Sequence, residues 1–283
     1  GVQEADILPY AQALYQALLL PAREEGIIPA EGELSFILDA PFQGIPMAML
    51  HDGQQYLIES YGISNALRSQ QSATQKLESD RALVAGLSEA SPSFGDPLVP
   101  SQLQPLADTE FEVQGIEKYL SVRVLLNEAF TASRLEREAD DDYQVVHIST
   151  HGQFSSDPDQ TFLMAWDELI DMKQMYRIFQ DERSETGIDL LVLSACQTAK
   201  GDERSALGMA GIVVQAGARS TVASLWLVDS ASSAVLMEEF YKGLSSGMSK
   251  SEALRQAQLV LLNSTVFNHP FYWAPFIFAE GGG

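Results

Sequence analysis

Cysteine is almost missing from this chain of 283 residues: there is one, Cys196. A single thiol can form no internal disulfide and build no cysteine-rich metal site, which points to a reducing, cytoplasmic setting. Basic residues are scarce too, 17 Lys and Arg against 39 Asp and Glu, for a formal charge of −22 at pH 7. Such a field repels a nucleic-acid backbone, so no direct nucleic-acid partner is expected. It would attract a basic polypeptide, although solubility alone accounts for most imbalances of this kind. Long apolar runs are absent as well: none reaches the roughly eighteen residues of a membrane span, and no membrane partner is expected. No Gly-rich phosphate loop follows a candidate strand, and no unit of about 20–50 residues repeats. There is neither an initiator methionine nor a signal-peptide pattern. The ends, Gly1-Val2-Gln3 and Gly281-Gly282-Gly283, read as cuts from a longer polypeptide, the last glycines as a tag remnant.

What is present is the balance of a globular protein with a substantial core, 46% apolar and 20% charged residues. The length suits one large α/β domain or two small ones. Apolar spacing predicts helices over 6–20 (stopped by Pro21), 110–120, 131–138, 166–180, 206–216, 230–244 and 249–262. Strands are expected over 34–40, 56–66, 82–87, 122–126, 143–150, 190–196 and 220–227, and near 273–278. The first of these reads as a core strand, and 91–105 as a loop. Strands alternating with helices imply a mainly parallel sheet covered on both faces, with functional groups outside the carboxyl ends of its strands.

Two strand ends carry chemistry. The run Leu190-Leu191-Val192-Leu193-Ser194-Ala195 delivers Cys196, and Val145-Val146-His147-Ile148-Ser149-Thr150 delivers His151, followed by Gly152. A thiol needs a base or a cationic neighbour to become thiolate at neutral pH, and His151 is the candidate. A lone cysteine is usually a small buried hydrophobe; the strand-end position and the polar loop that follows reverse that preference here. Gly152 allows the backbone to turn and approach a substrate. His147 stands four residues before His151, two pleats away on a strand and with no third ligand, so it reads as structural and no metal is expected. A phosphatase cradle is disfavoured by Asp202 six residues after the cysteine.

These strand ends, with Ala223-Ser224-Leu225-Trp226-Leu227-Val228-Asp229, Pro46-Met47-Ala48-Met49-Leu50-His51-Asp52-Gly53, Gly208-Met209-Ala210-Gly211 and His269-Pro270-Phe271-Tyr272-Trp273-Ala274, resemble the CHAT-domain family of the caspase- and separase-like cysteine peptidase clan. The resemblance implies a caspase-like three-layer sandwich spanning 1–283, with 1–120 a less typical half and 121–283 the catalytic core. It also implies a prokaryotic origin and excision from a longer chain with TPR repeats upstream, a sensor region that would be the partner. The expected activity is that of an endopeptidase acting on protein substrates through a Cys196/His151 dyad and an acyl-enzyme, cutting after a basic residue, without cofactor. Gly152 and Cys196 would supply the oxyanion hole, and Asp229, Trp226 and Ser149 substrate contacts. Asp229 serves equally well as an acid at a helix N-terminus. Asp157 and Asp159 are less favoured pocket acids, and Lys200 and Arg204 are candidate self-cleavage points in what reads first as a solvated loop. The alternative is a non-catalytic or conditionally active regulatory module of a TPR-CHAT signalling protein.

Overall fold

The structure, a computed structural model, describes residues 4–66, 76–77, 79–139, 141, 143–155, 157–179, 187–194, 196–198 and 218–280; the side chains of 4, 5, 40 and 196–198 lie outside that description. Helix α1 (Glu4–Leu18) and the short α2 (Leu20–Glu24) precede β1 (Gly32–Phe36), β2 (Tyr61–Ala66) and β3 (Arg81–Gly86). Then come α3 (Thr109–Glu117), β4 (Ser121–Leu126), α4 (Ala132–Ala139) and β5 (Val145–Ser149). Short strands β6 (Gly152–Phe154), β7 (Phe162–Met164) and β8 (Leu169–Asp171) lead into α5 (Met172–Phe179), followed by β9 (Leu190–Leu193), β10 (Cys196–Thr198) and β11 (Ser220–Ser224). Helices α6 (Ser230–Ser245) and α7 (Lys250–Leu262), a single helical turn (Pro270–Trp273) and strand β12 (Phe276–Glu280) follow.

Side-chain alternation explains the layers. In β3, Leu83 and Ala85 enter one core while Ala82 and Val84 enter the other; β9 divides likewise, Leu191 and Leu193 against Leu190 and Val192. Strands apolar on both faces need cover on both. Helices α4 and α5 supply it on one side through Leu135, Met175 and Phe179, and α3, α6 and α7 on the other through Ile116, Phe240 and Leu261. The result is one eight-stranded sheet ordered β1-β2-β12-β11-β9-β5-β3-β4, parallel except where β12 meets β11, and a four-stranded sheet ordered β10-β6-β7-β8.

Three expectations are corrected. Of the segment over 34–40 only 34–36 is strand, part of the edge strand β1, whose Leu34 and Phe36 are half-buried against a small cluster apart from the main cores. The helix expected over 166–180 starts only at Met172. Asp171 accepts from Gln174 N at 2.7 Å while Gln174 Oε1 accepts from Asp171 N at 2.8 Å, a reciprocal cap that leaves Leu169–Asp171 free to pair with β7. The run Leu190–Cys196 is not one strand, because the ladder lapses after Leu193. The helix expected over 206–216, with Lys200 and Arg204, lies outside the described residues.

Gly86 closes β3 where α3 crosses the sheet. A Cβ there would stand 2.5 Å from Thr109 Cγ2 and 3.1 Å from the Ser149 carbonyl oxygen. Gly86→Ala is therefore expected to cost about 1–3 kcal/mol in denaturant unfolding. Adding Thr109→Ala should recover part of the loss, and an unaltered unfolding midpoint in the single variant would contradict the packing described.

Candidate active site

The dyad strands pair twice. In the main sheet β5 runs beside β9, ending with Ile148 opposite Leu193, and Ser194 N donates to Ile148 O at 3.1 Å. The same two segments pair again as β6 and β10, with Cys196 opposite Gly152. Between the ladders Ser149, Thr150 and His151 intervene on one strand, but only positions 194 and 195 on the other. An extra residue on one of two paired strands bends it and re-aims its side chains, as in a β-bulge. The slip falls at the carboxyl ends of β5 and β9, and it puts the Cys196 backbone across from the residue that follows His151.

The imidazole of His151 is buried, 6% exposed, and its Nε2 lies 2.7 Å from the carbonyl oxygen of Gln104. A carbonyl only accepts, so Nε2 carries the proton and Nδ1 the lone pair. The Phe94 ring stands edge-on to the imidazole, centroids 6.1 Å apart. Burial pushes the His151 pKa below its ordinary value, and the bond to Gln104 opposes this only in part. The ring is thereby held neutral at pH 7, the form in which it can accept a proton.

A cavity of about 430 Å³ opens beside His151, between the loop 100–106 and the segment Leu227–Ser230. Asp229 lines it and also caps α6, its Oδ1 accepting from Ser232 N at 2.9 Å. The helix-end reading and a cavity position thus hold together. Asp108, not among the residues described as lining the cavity, accepts the hydroxyl of Ser230, which does line it.

Other expected site residues stand elsewhere. Ser149 is 1% exposed and donates to Glu112 Oε2 at 2.7 Å, so it serves a buried cluster and not a substrate surface. Trp226 donates from Nε1 to Phe271 O at 3.2 Å and stacks on the Phe271 ring; it is not among the residues described as lining the cavity. Thr150 is tied to Met164 O at 2.8 Å. Asp157 caps a short turn through Asp159 N and is exposed, as is Asp159. His147 is wholly buried between Glu112 and Tyr241, in keeping with a structural role. The side chain of Cys196 lies outside the description.

Two contributors escaped the sequence reading. Gln104 acts through its backbone carbonyl, which no side-chain pattern marks. Glu112 did leave a signal: it stands in the buried stripe Thr109, Glu112, Val113, Ile116, where helical spacing calls for an apolar residue.

The fold and the paired strand ends define a caspase-like α/β sandwich. Among solved structures, gingipain R, an Arg-specific cysteine proteinase, superposes with a TM-score of 0.55 at 10% identity, covering 99% of this chain and 68% of its own. Separase of Saccharomyces cerevisiae, in its complex with securin, gives 0.51 at 11% identity, covering 87% of this chain and 15% of its own. At these identities the likeness is one of fold. A CHAT domain signature matches residues 8–280, and the chain belongs to the CHAT domain family. Human tetratricopeptide repeat protein 28 is 23% identical over an alignment of 334 positions that takes in 95% of this chain. Its mouse counterpart is 35% identical over 92 residues, 31% of this chain. The chain spans 13% of the human relative and 4% of the mouse one. Among the described residues no helix is long and apolar enough to cross a membrane.

Proposed function

We propose that this CHAT domain is a cysteine endopeptidase that cleaves protein substrates after a basic residue. The observation that carries the reading is the slipped ladder, with Cys196 opposite Gly152 and His151 held as its Nε2–H tautomer beside a cavity. In the proposed reaction Nδ1 of His151 takes the Cys196 thiol proton, and the thiolate attacks the peptide carbonyl carbon. Backbone N–H groups of Gly152 and Cys196 stabilise the oxyanion. The imidazolium then protonates the departing amine as the C–N bond breaks, and water hydrolyses the thioester. The chemistry calls for no cofactor.

The cation of the substrate would meet Asp229, which lines the cavity beside His151. Asp229→Asn separates charge from capping, because the amide oxygen still accepts from Ser232 N. In a positional-scanning peptide library it should lower kcat/KM for Arg or Lys before the cut on the order of 100-fold, with little change in unfolding midpoint. Unchanged preference in that variant would move the basic pocket elsewhere.

A regulatory module is the second reading, favoured by the burial of His151 and by relatives that are tetratricopeptide repeat proteins. In it, a repeat region of the same longer chain, in the cytoplasm, would be the partner that releases or replaces catalysis. Iodoacetamide labelling at pH 6 separates the two: rapid alkylation of Cys196 marks an activated thiolate, and inertness favours the module.

A further inference from the structure

Beneath the strand slip lies a buried polar cluster that the proposed reaction does not use. Glu112 reaches inward from α3 and is 3% exposed. Its Oε1 lies 2.9 Å from His147 Nε2 and its Oε2 accepts from Ser149 Oγ at 2.7 Å. The Thr109 hydroxyl stands 3.2 Å from Ser149 Oγ, and Tyr241 OH lies 3.0 Å from His147 Nδ1. A carboxylate only accepts, so His147 donates to it from Nε2, while Nδ1 faces the Tyr241 hydroxyl. Burial alone would push the Glu112 pKa up, but His147 and Ser149 outweigh it and hold the group below the ordinary carboxylate range. Ser194, wholly buried at the end of β9, adds to this without a well-formed hydrogen bond of its own.

A buried carboxylate is an expensive way to join a helix to a sheet, since apolar residues of similar volume would do it at lower cost. Its location is specific. Ser149 is the first residue past the last β5–β9 pair on the histidine strand, and Ser194 is its counterpart on the cysteine strand. Among the described residues the β5–β9 pairing stops there, and on the histidine strand the carboxylate holds the next residue, Ser149.

We infer that Glu112 is a positioning residue: through Ser149 it clamps the fork between the two ladders and so sets the orientation of the His151 ring against Gln104 and the Cys196 backbone. This deepens the peptidase reading, but its test does not need turnover. Imidazole NMR on the full chain, which has four histidines, reads the His151 tautomer and titration directly. The wild type should show the Nε2–H form and a midpoint below that of an ordinary histidine. Ser149→Ala and Glu112→Gln should each give a mixed tautomer and a displaced midpoint. Peptide turnover should fall on the order of 10- to 100-fold in kcat, with KM changing no more than about twofold. Glu112→Gln sets an amide against the His147 N–H and can fail to fold; Ser149→Ala, which loses one hydroxyl, then decides. If Ser149→Ala lowers the melting temperature but leaves the tautomer and midpoint of His151 at wild-type values, the cluster is only structural and the inference is overturned. A wild type whose His151 behaves as stated, but whose Cys196 is alkylated no faster than a free thiol, rejects the peptidase proposal and leaves this one standing.

Discussion

Cys196→Ala is expected to abolish cleavage, lowering turnover of a peptide with Arg before the cut by at least about 10⁴-fold. No other group described near His151 could replace the nucleophile. Among the described residues lining the cavity the only hydroxyl is that of Ser230, which is committed to Asp108. The acyl-enzyme cannot form without the sulfur, and an oxyanion hole alone leaves only a small residue of catalysis. The fold should be untouched, since β9 and β11 are secured by Leu191, Leu193 and Val222 and the thiol loses a single heavy atom. The check is turnover and thermal unfolding on the same preparation. Retained cleavage with an intact fold would remove the peptidase proposal altogether.

The largest expected loss of stability lies at the opposite end of the sheet. Lys250, the first residue of α7, is 1% exposed, and its ammonium donates to Asp189 Oδ1 at 2.6 Å and to Asp189 O at 3.3 Å. Asp189 stands immediately before β9, and its carbonyl also accepts from Ser220 Oγ. Burial pushes the Lys250 pKa down from 10.5, with the bond to Asp189 opposing it. Asp189→Ala leaves that ammonium without its counter-charge, which should cost about 3–5 kcal/mol. The deficit should shrink as pH rises toward the lysine's ordinary value, because the depressed group then sheds its proton. Replacing both partners, as Asp189→Leu with Lys250→Met, should be close to neutral, since neither charge is left buried alone. Urea unfolding of the three proteins tests this, and a single variant as stable as the wild type would show the pair to be dispensable.

The parts legible in the sequence were those written in one segment at a time. Apolar runs revealed β3, β5 and β9, and Thr131 marked the start of α4, its Oγ1 accepting from Arg134 N at 3.2 Å. The strand ends carrying His151 and Cys196 followed from the same runs. What depended on two segments at once was hidden. The slip between the ladders is a property of pairing, so Leu190–Cys196 read as a single strand. The exposure of β1 follows from its place at the sheet edge, which no local pattern fixes. Ser149 was read as facing a substrate because its partner, Glu112, lies in a helix 37 residues earlier.

The position of β12 has a consequence for biosynthesis. It slots between β2 and β11 and, among the described strands, is what joins β1 and β2 to the rest of the eight-stranded sheet. A nascent chain makes β2 roughly two hundred residues before β12 leaves the ribosome. At about 5–20 residues per second, one side of β2 stays without its neighbour for ten seconds or more. An unpaired edge of that lifetime invites pairing with other chains until the last strand arrives to cover it.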